Sequence, residues 1–276
     1  MRRPANEDIG DISVPPADDP KVFAVAHAKI KIEWARNHIN GVEQIVDSIT
    51  SQTRHVIKPY QDTQSGKYVL YIGPKDGIPV SLPLHIGDAV HNLNSVMDFL
   101  WSGLARTVNP ELASKITFPR HETKENLAKS LSDAKGYNAQ IKKHFPKSEK
   151  FILDVVKPYK ADDENIWSLN KLDNINKHRL LIPTTNIIEF KRDLIARSED
   201  GGTFVHKGGV RMHTQGPNLS VGFATPFEVN DDAEPIIDVV FDRGDPCAGK
   251  PVLETLVNFT VAVNKVVEAF QETFLT

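Results

Sequence analysis

The sequence predicts an α+β fold: a helical bundle of a long N-terminal, a central and a C-terminal helix, with an antiparallel β hairpin and sheet layer. Two observations carry this reading. Apolar residues recur at three- and four-residue spacing through three long segments, as one buried helix face requires. Short β-rich runs separated by Gly and Asp turns occupy residues 54–82 and 184–241. The chain has 276 residues, 40% hydrophobic and 25% charged, which suffices for a substantial core. Residues 21–276 are read as a single α+β domain with β insertions at 54–82 and 184–241, behind a tail spanning 1–20.

The elements follow in order. The first twenty residues, MRRPANEDIGDISVPPADDP, are rich in Pro and Asp and have no apolar stretch. They read as a disordered tail rather than a signal peptide. From Lys21 to Thr50, the spacing of Ile32, Ala35, Ile39, Val42, Val46 and Ile49 predicts a helix with a narrow packing seam. Arg54–Ile57 and Lys67–Ile72 read as a hairpin turning at Gly66, and Ile78–Leu82 as a third strand. Leu84–Arg106 is an amphipathic helix. Phe118–Arg120 (FPR) is extended, because a residue before proline avoids the helical region. Glu122–Ser132 and Ala139–Lys143 suit short helices. Asp162–Glu164 would cap a helix running from Trp167 to Arg179 and ending before Pro183. β runs are expected at Asn186–Phe190, Thr203–Val205, Leu219–Phe223 and Ile236–Phe241. A last helix covers Pro251–Phe274, with Pro251 in its first turn.

Composition narrows the function. Net charge is −3, so no global basic field points to nucleic acid. Cys247 is the only cysteine, which excludes intrachain disulfides and cysteine-rich zinc sites and fits a cytoplasmic location. No apolar run approaches the roughly 20 residues of a membrane span, so no membrane partner is expected. His85, Asp88 and His91 recur every three residues but form no HExxH motif, and no metal or other cofactor is assigned. The Gly201–Gly209 stretch, GGTFVHKGG, lacks the phosphate-loop pattern and reads as a hairpin. Lys142, Lys143, His144 and Lys147 form a local basic patch, read as solvated surface.

The polar face of Leu84–Arg106 is unusual. A solvated helix face carries Lys, Glu and Gln; this one carries Asp88, His91, Asn92, Ser95, Asp98, Ser102 and Arg106. Short titratable and hydrogen-bonding groups suit either a site or a buried polar network. In the site reading, His91 and Asp98 are the catalytic pair, acid/base and carboxylate. Asp88, Asn92, Asn176, Lys177, His178 and Arg179 bind the ligand, and Arg179 meets a phosphate. In the structural reading, Arg179 lies inward beside Leu169, Leu172 and Ile175 and forms an interhelical ion pair with Asp98 or Asp88. Such a face also suits a homodimer interface.

Two strings, IGDAVHNLNSVMDFLW (Ile86–Trp101) and LNKLDNINKHRLLIP (Leu169–Pro183), resemble a bacterial and phage family with a GDAvHNLrsalDhl helix and a later lNnidKHRlL segment. The resemblance implies this order of elements from about Lys21 onward, and makes Asp88, His91, Asn92, Asp98, Asp173, Lys177, His178 and Arg179 the matching positions. Asn94 stands where the family more often has Arg. A looser similarity is to HEPN-type helical domains, which implies nucleotide binding or RNA cleavage. The Arg, short polar spacer and His of the cleaving members are absent here. The expectation is a binding module that recognises a phosphate-containing ligand, a nucleotide or RNA between the motif helices. The alternatives are a structural or oligomerisation protein with a buried polar network, and a HEPN-like or metal-assisted phosphodiesterase or RNase with His91 and Asp98 in acid/base roles.

Overall fold

The computed structural model describes residues 19–51, 55–63, 65–133, 136–161, 164–212, 214, 216–230 and 232–276. The expected tail at 1–18, the start of the first hairpin strand at Arg54, the capping residues Asp162 and Asp163, and His213 lie outside the described residues. The fold is α+β, with seven α-helices and three small antiparallel sheets among the described residues. In order these are α1 (Pro20–Thr50), β1 (His55–Gln61), β2 (Tyr68–Pro74), α2 (Ser81–Val108), α3 (Lys124–Ser132), α4 (Tyr137–His144), α5 (Lys147–Lys150), α6 (Asn165–Asn176), β3 (Thr184–Phe190), β4 (Leu194–Ser198), β5 (Thr203–His206), β6 (Asn218–Ser220), β7 (Phe227–Val229), β8 (Pro235–Val240) and α7 (Val252–Phe274). No helix among the described residues is long and apolar enough to cross a membrane.

Contacts divide the chain into two compact units. The first takes the described part of Met1–Arg36 with Val90–Lys171 and Asn258–Thr276; the second takes Asn37–Ala89 and Leu172–Val257.

In the first unit the N- and C-terminal helices meet, as the closing seam of the sequence requires. Lys21 Nζ donates to the Phe274 carbonyl at 2.9 Å. Phe145, Phe151, Phe270 and Phe274 form an aromatic cluster with centroids 5.0–6.0 Å apart, edge-to-face except for the tilted Phe270–Phe274 pair. The α2 stripe of Val90, Leu93, Val96, Met97, Leu100, Trp101 and Leu104 is buried to 1% or less. Trp101 packs edge-on against Phe118, and its indole N–H donates to Asn138 Oδ1 at 3.0 Å, so the largest core side chain keeps its polar atom satisfied. The π-helical turn Phe151–Val156, stopped by Lys157 in the left-handed region (φ 50°), has no apolar period that would betray it in the sequence.

The second unit holds all the strands among the described residues. The hairpin β1–β2 is extended by β6, β3 pairs with β8 across a bulge between Ile187 and Glu189, and β4 lies between β5 and β7. Strands β4 and β7 escape the pattern because they are short and follow the charged pair Lys191–Arg192 or a proline. The expected strand at Ile78–Leu82 does not form. Leu82 N donates to the Pro79 carbonyl, and Ser81 already begins α2, where Pro83 occupies the tolerant first turn. α6 stops at Asn176, not Arg179. Its last turn tightens as His178 N donates to the Ile175 carbonyl, and the chain must extend before Pro183.

Within the first unit α1 and α2 approach closely at Gly103. A Cβ there would lie 2.5 Å from Ala24 Cβ and 3.1 Å from the Pro20 carbonyl oxygen. Gly103→Ala is therefore expected to destabilise the protein by about 1–3 kcal/mol, the usual cost of overpacking. This exceeds the roughly 1 kcal/mol that alanine gains in helix propensity. Urea unfolding measures it, and a higher midpoint in the variant would refute this helix contact.

Candidate functional site

The polar face of α2 resolves into pairs, and their partners are not those the sequence suggests. Asp98 is bound by Arg120: Nη1 donates to Oδ1 at 3.2 Å and Nη2 to Oδ2 at 3.3 Å, while the Phe118 backbone N–H donates to Oδ1 at 2.8 Å. Nη2 also reaches the Asn94 side-chain oxygen at 3.3 Å, and the guanidinium lies 5.4 Å over the Phe118 ring. Arg120 is only 15% exposed and Asp98 42%. Arg120 Nε is buried with no hydrogen-bond partner among the described residues. Asn94 is buried and serves this cluster. Asn92 is likewise buried and accepts from Lys31 Nζ at 2.9 Å. Arg120 is the residue that sequence reasoning missed. The FPR string marked its backbone as extended, but nothing local reveals that its head returns to α2.

The remaining sequence candidates fall as follows. His91 is exposed on α2 in the first unit. Asp88 is exposed in the second unit, 3.8 Å from His38 Nδ1, and His38 Nδ1 lies 3.3 Å from His85 Nδ1. Burial lowers the His38 pKa, Asp88 raises it and His85 lowers it further. Asn176 packs its amide against the bare Cα of Gly87, where any Cβ would overlap it. Lys177 pairs at 2.8 Å with the buried Asp173 one turn earlier. His178 is exposed in the turn after α6.

The expected burial of Arg179 is corrected. It lies beyond the end of α6, its side chain is 61% exposed, and its Nη2 donates to Asp245 Oδ1 at 3.4 Å; its partner is neither Asp98 nor Asp88. Among the described residues no three His, Cys, Asp or Glu side chains are grouped to hold a metal ion.

The second unit contains a cavity of about 340 Å³ lined by Thr184, Asn186, Val240, Phe241, Arg243 and the Ala248–Gly249 turn, with Gly216. This is the low end of the size range for small-molecule sites. The β3–β8 ladder sets two of its walls, since Thr184 pairs with Val240 and Asn186 with Asp238. The Gly216 backbone N–H donates to Asn186 Oδ1 at 2.8 Å, and Thr214 Oγ1 donates to the Gly216 carbonyl at 2.8 Å. A backbone N–H can only donate, so it fixes which end of the Asn186 amide is oxygen. The NH₂ group is left with no partner among the described residues. Asp238 does not line the cavity; its carboxylate accepts the Val239 N–H, and burial raises its pKa toward the neutral form. The cavity lining therefore combines Arg243, Asn186 and Thr184 with Val240, Phe241 and Ala248.

Comparison with family models, curated proteins and solved structures yields no match to this chain.

Two outcomes follow from the geometry. Arg120→Ala removes a charge-assisted network and its packing on Phe118, and is expected to cost about 2–3 kcal/mol. His91→Ala, at an exposed position, should stay within about 0.5 kcal/mol of wild type; chemical denaturation of both variants measures the contrast. The second outcome concerns acid. His38 is harder to protonate in the folded than in the unfolded chain, so the unfolded state binds more protons below about pH 6.5 and stability falls as pH drops through that value. His38→Gln should flatten this part of the stability–pH curve. An unchanged slope would show that His38 contributes nothing to it.

Proposed function

We propose that this protein is a binding module for a small phosphate-bearing ligand held in the cavity of its second unit. The observation that carries this reading is the donor set on the cavity wall: Arg243, the Asn186 NH₂ oriented by Gly216, and the Thr184 hydroxyl. A tetrahedral oxyanion needs such a set, one positive fork and several neutral donors. Val240, Phe241 and Ala248 suit an apolar or aromatic ligand body, so a mononucleotide is the natural probe. The ligand class is the one expected from the sequence, but the residues differ. Arg243, Asn186 and Thr184 take the role first given to His91, Asn92 and the Lys177–Arg179 segment.

A second reading applies to the α2 face. The pairing of Asp98 with Arg120 and Phe118, and of Asn92 with Lys31, favours an internal polar scaffold. The carboxylate oxygens of Asp98 are occupied by these donors, so a phosphodiesterase acting through His91 and Asp98 gains no support from the geometry.

Calorimetric titration with AMP and adenosine tests the binding reading. AMP is expected to bind at least about tenfold more tightly than adenosine, the effect of one charge-assisted contact. Arg243→Gln should bring the two affinities together while the circular dichroism spectrum is retained. Equal wild-type affinities for the two, or no binding of either, would overturn the proposal.

A further inference from the structure

The first unit holds a smaller cavity, and none of its residues lines the cavity of the second. It measures about 150 Å³ and is lined by residues 154–157 of the π-helical turn, by Ile166 of α6 and by Ala262, Lys265 and Val266 of α7. Its lining is of two kinds. Val155, Val156, Ile166, Ala262 and Val266 are apolar, and Val155 is left 49% exposed. Lys157 and Lys265 are exposed, and neither ammonium has an ion pair or hydrogen bond with another described residue. Asp154 also lines the cavity, but its carboxylate accepts from Lys124 Nζ at 3.0 Å, so a third cation already matches the one acid. Lys157 stands where the backbone favours a different residue. It ends the π turn in the left-handed region, φ 50° and ψ 56°, with its N–H donating to the Ile152 carbonyl at 2.9 Å. Glycine or asparagine is the usual occupant of such a position, because a Cβ raises the energy of this conformation. Tyr159 holds the turn in place, its hydroxyl donating to the Leu153 carbonyl at 2.8 Å.

We propose that this cavity binds a small aliphatic carboxylate, with Lys157 and Lys265 meeting the carboxylate and Val155, Ile166 and Val266 covering its short chain. Two ammonium groups on flexible stems flank one small space, and each brings rotatable donors that adapt to a shared anion. A carboxylate has two oxygens to receive them. The apolar lining selects against a fully hydrated oxyanion, because such a ligand leaves those walls wet, whereas an aliphatic chain removes them from water. The volume lies below the range of drug-sized sites, which limits the chain to a few carbons. The backbone strain at Lys157 points the same way. Its side chain makes no polar contact with another described residue that would offset the unfavourable conformation, and an anion bound beside it would.

The test is a titration of the full chain with butyrate, acetate, butyramide and inorganic phosphate, followed by backbone amide chemical shifts. Butyrate is expected to give saturable shifts in residues 154–157 and 262–266. It should bind about tenfold more tightly than acetate, the effect of burying two further methylenes, and at least about tenfold more tightly than the neutral butyramide. Lys157→Gly and Lys265→Gln should each weaken butyrate about fivefold and leave butyramide unchanged. Glycine suits the left-handed backbone, so the urea midpoint of Lys157→Gly should equal or exceed that of wild type. The proposal is overturned if butyrate gives no saturable shift or shifts only residues 184–249, if butyramide or phosphate binds as tightly as butyrate, or if Lys157→Gly keeps wild-type butyrate affinity. A urea midpoint clearly lowered in Lys157→Gly would make this lysine a structural residue and overturn the proposal as well.

Discussion

Burial of α2 around most of its circumference is the constraint on which much else depends. Leu84 and the half-buried Phe99 apart, its apolar residues from Leu82 to Ala105 are nearly inaccessible, and Asn92 and Asn94 are buried with them. Only a narrow stripe through Leu84, Asp88 and His91 is open, with Ser95, Asp98 and Ser102 half-covered beyond it. A long hydrated Lys or Glu needs water around its head, and such a helix has little to offer. The face is therefore built of short polar groups whose bonds can be closed within the protein. The odd composition of this face follows from packing before any chemistry is invoked.

The same constraint decides how charge is handled. Asp98, close to the core, must be matched, and an arginine from an extended loop supplies two donors on one rigid fork. The same fork holds Asn94, so one side chain fixes the loop 116–121 to α2 at several points. A pair with 42% exposure on the acid side is worth less than a fully buried one, and its main contribution is to register. Asp173, more deeply buried, takes the nearest cation one helical turn away. Asp245 takes Arg179 from a distant segment. Three buried or half-buried acids thus find three cations, and the two supplied by residues remote in sequence tie loops to the fold.

The legibility of these features divides along that line. The seams of α1, α2 and α7 were legible because a periodic apolar stripe is a local property, and Ile32, Ala35, Val42, Leu256, Val263 and Phe270 are indeed buried. The hairpin and most strands were legible from composition and turns. The end of α6 and the start of α2 were less so, because one depends on a tightened last turn and the other on a proline tolerated at a helix start. Ion-pair partners were not legible at all. Asp98 with Arg179 and Asp98 with Arg120 are equally plausible on a sequence, and only the tertiary path of residues 116–121 separates them. The cavity was hidden for the same reason, since Thr184, Asn186, Arg243 and Gly249 belong to segments that are unremarkable in isolation.

What distinguishes a site from a scaffold here is the state of the donors, not their abundance. On α2 the polar groups are many, and those of Asp98, Asn92 and Asn94 are turned to partners within the protein. In the cavity they are few, but one of them is held ready. The Gly216 N–H commits the oxygen of Asn186 and thereby presents its NH₂, an orientation that costs nothing further when a ligand arrives. The loop with Arg243 is held from behind through Asp245 and Arg179. The Asn186 NH₂ is not among the buried unpaired polar atoms, so holding it in this orientation costs the fold little and leaves it accessible to a ligand. Under the binding reading proposed above, a ligand that accepts this hydrogen bond completes the arrangement.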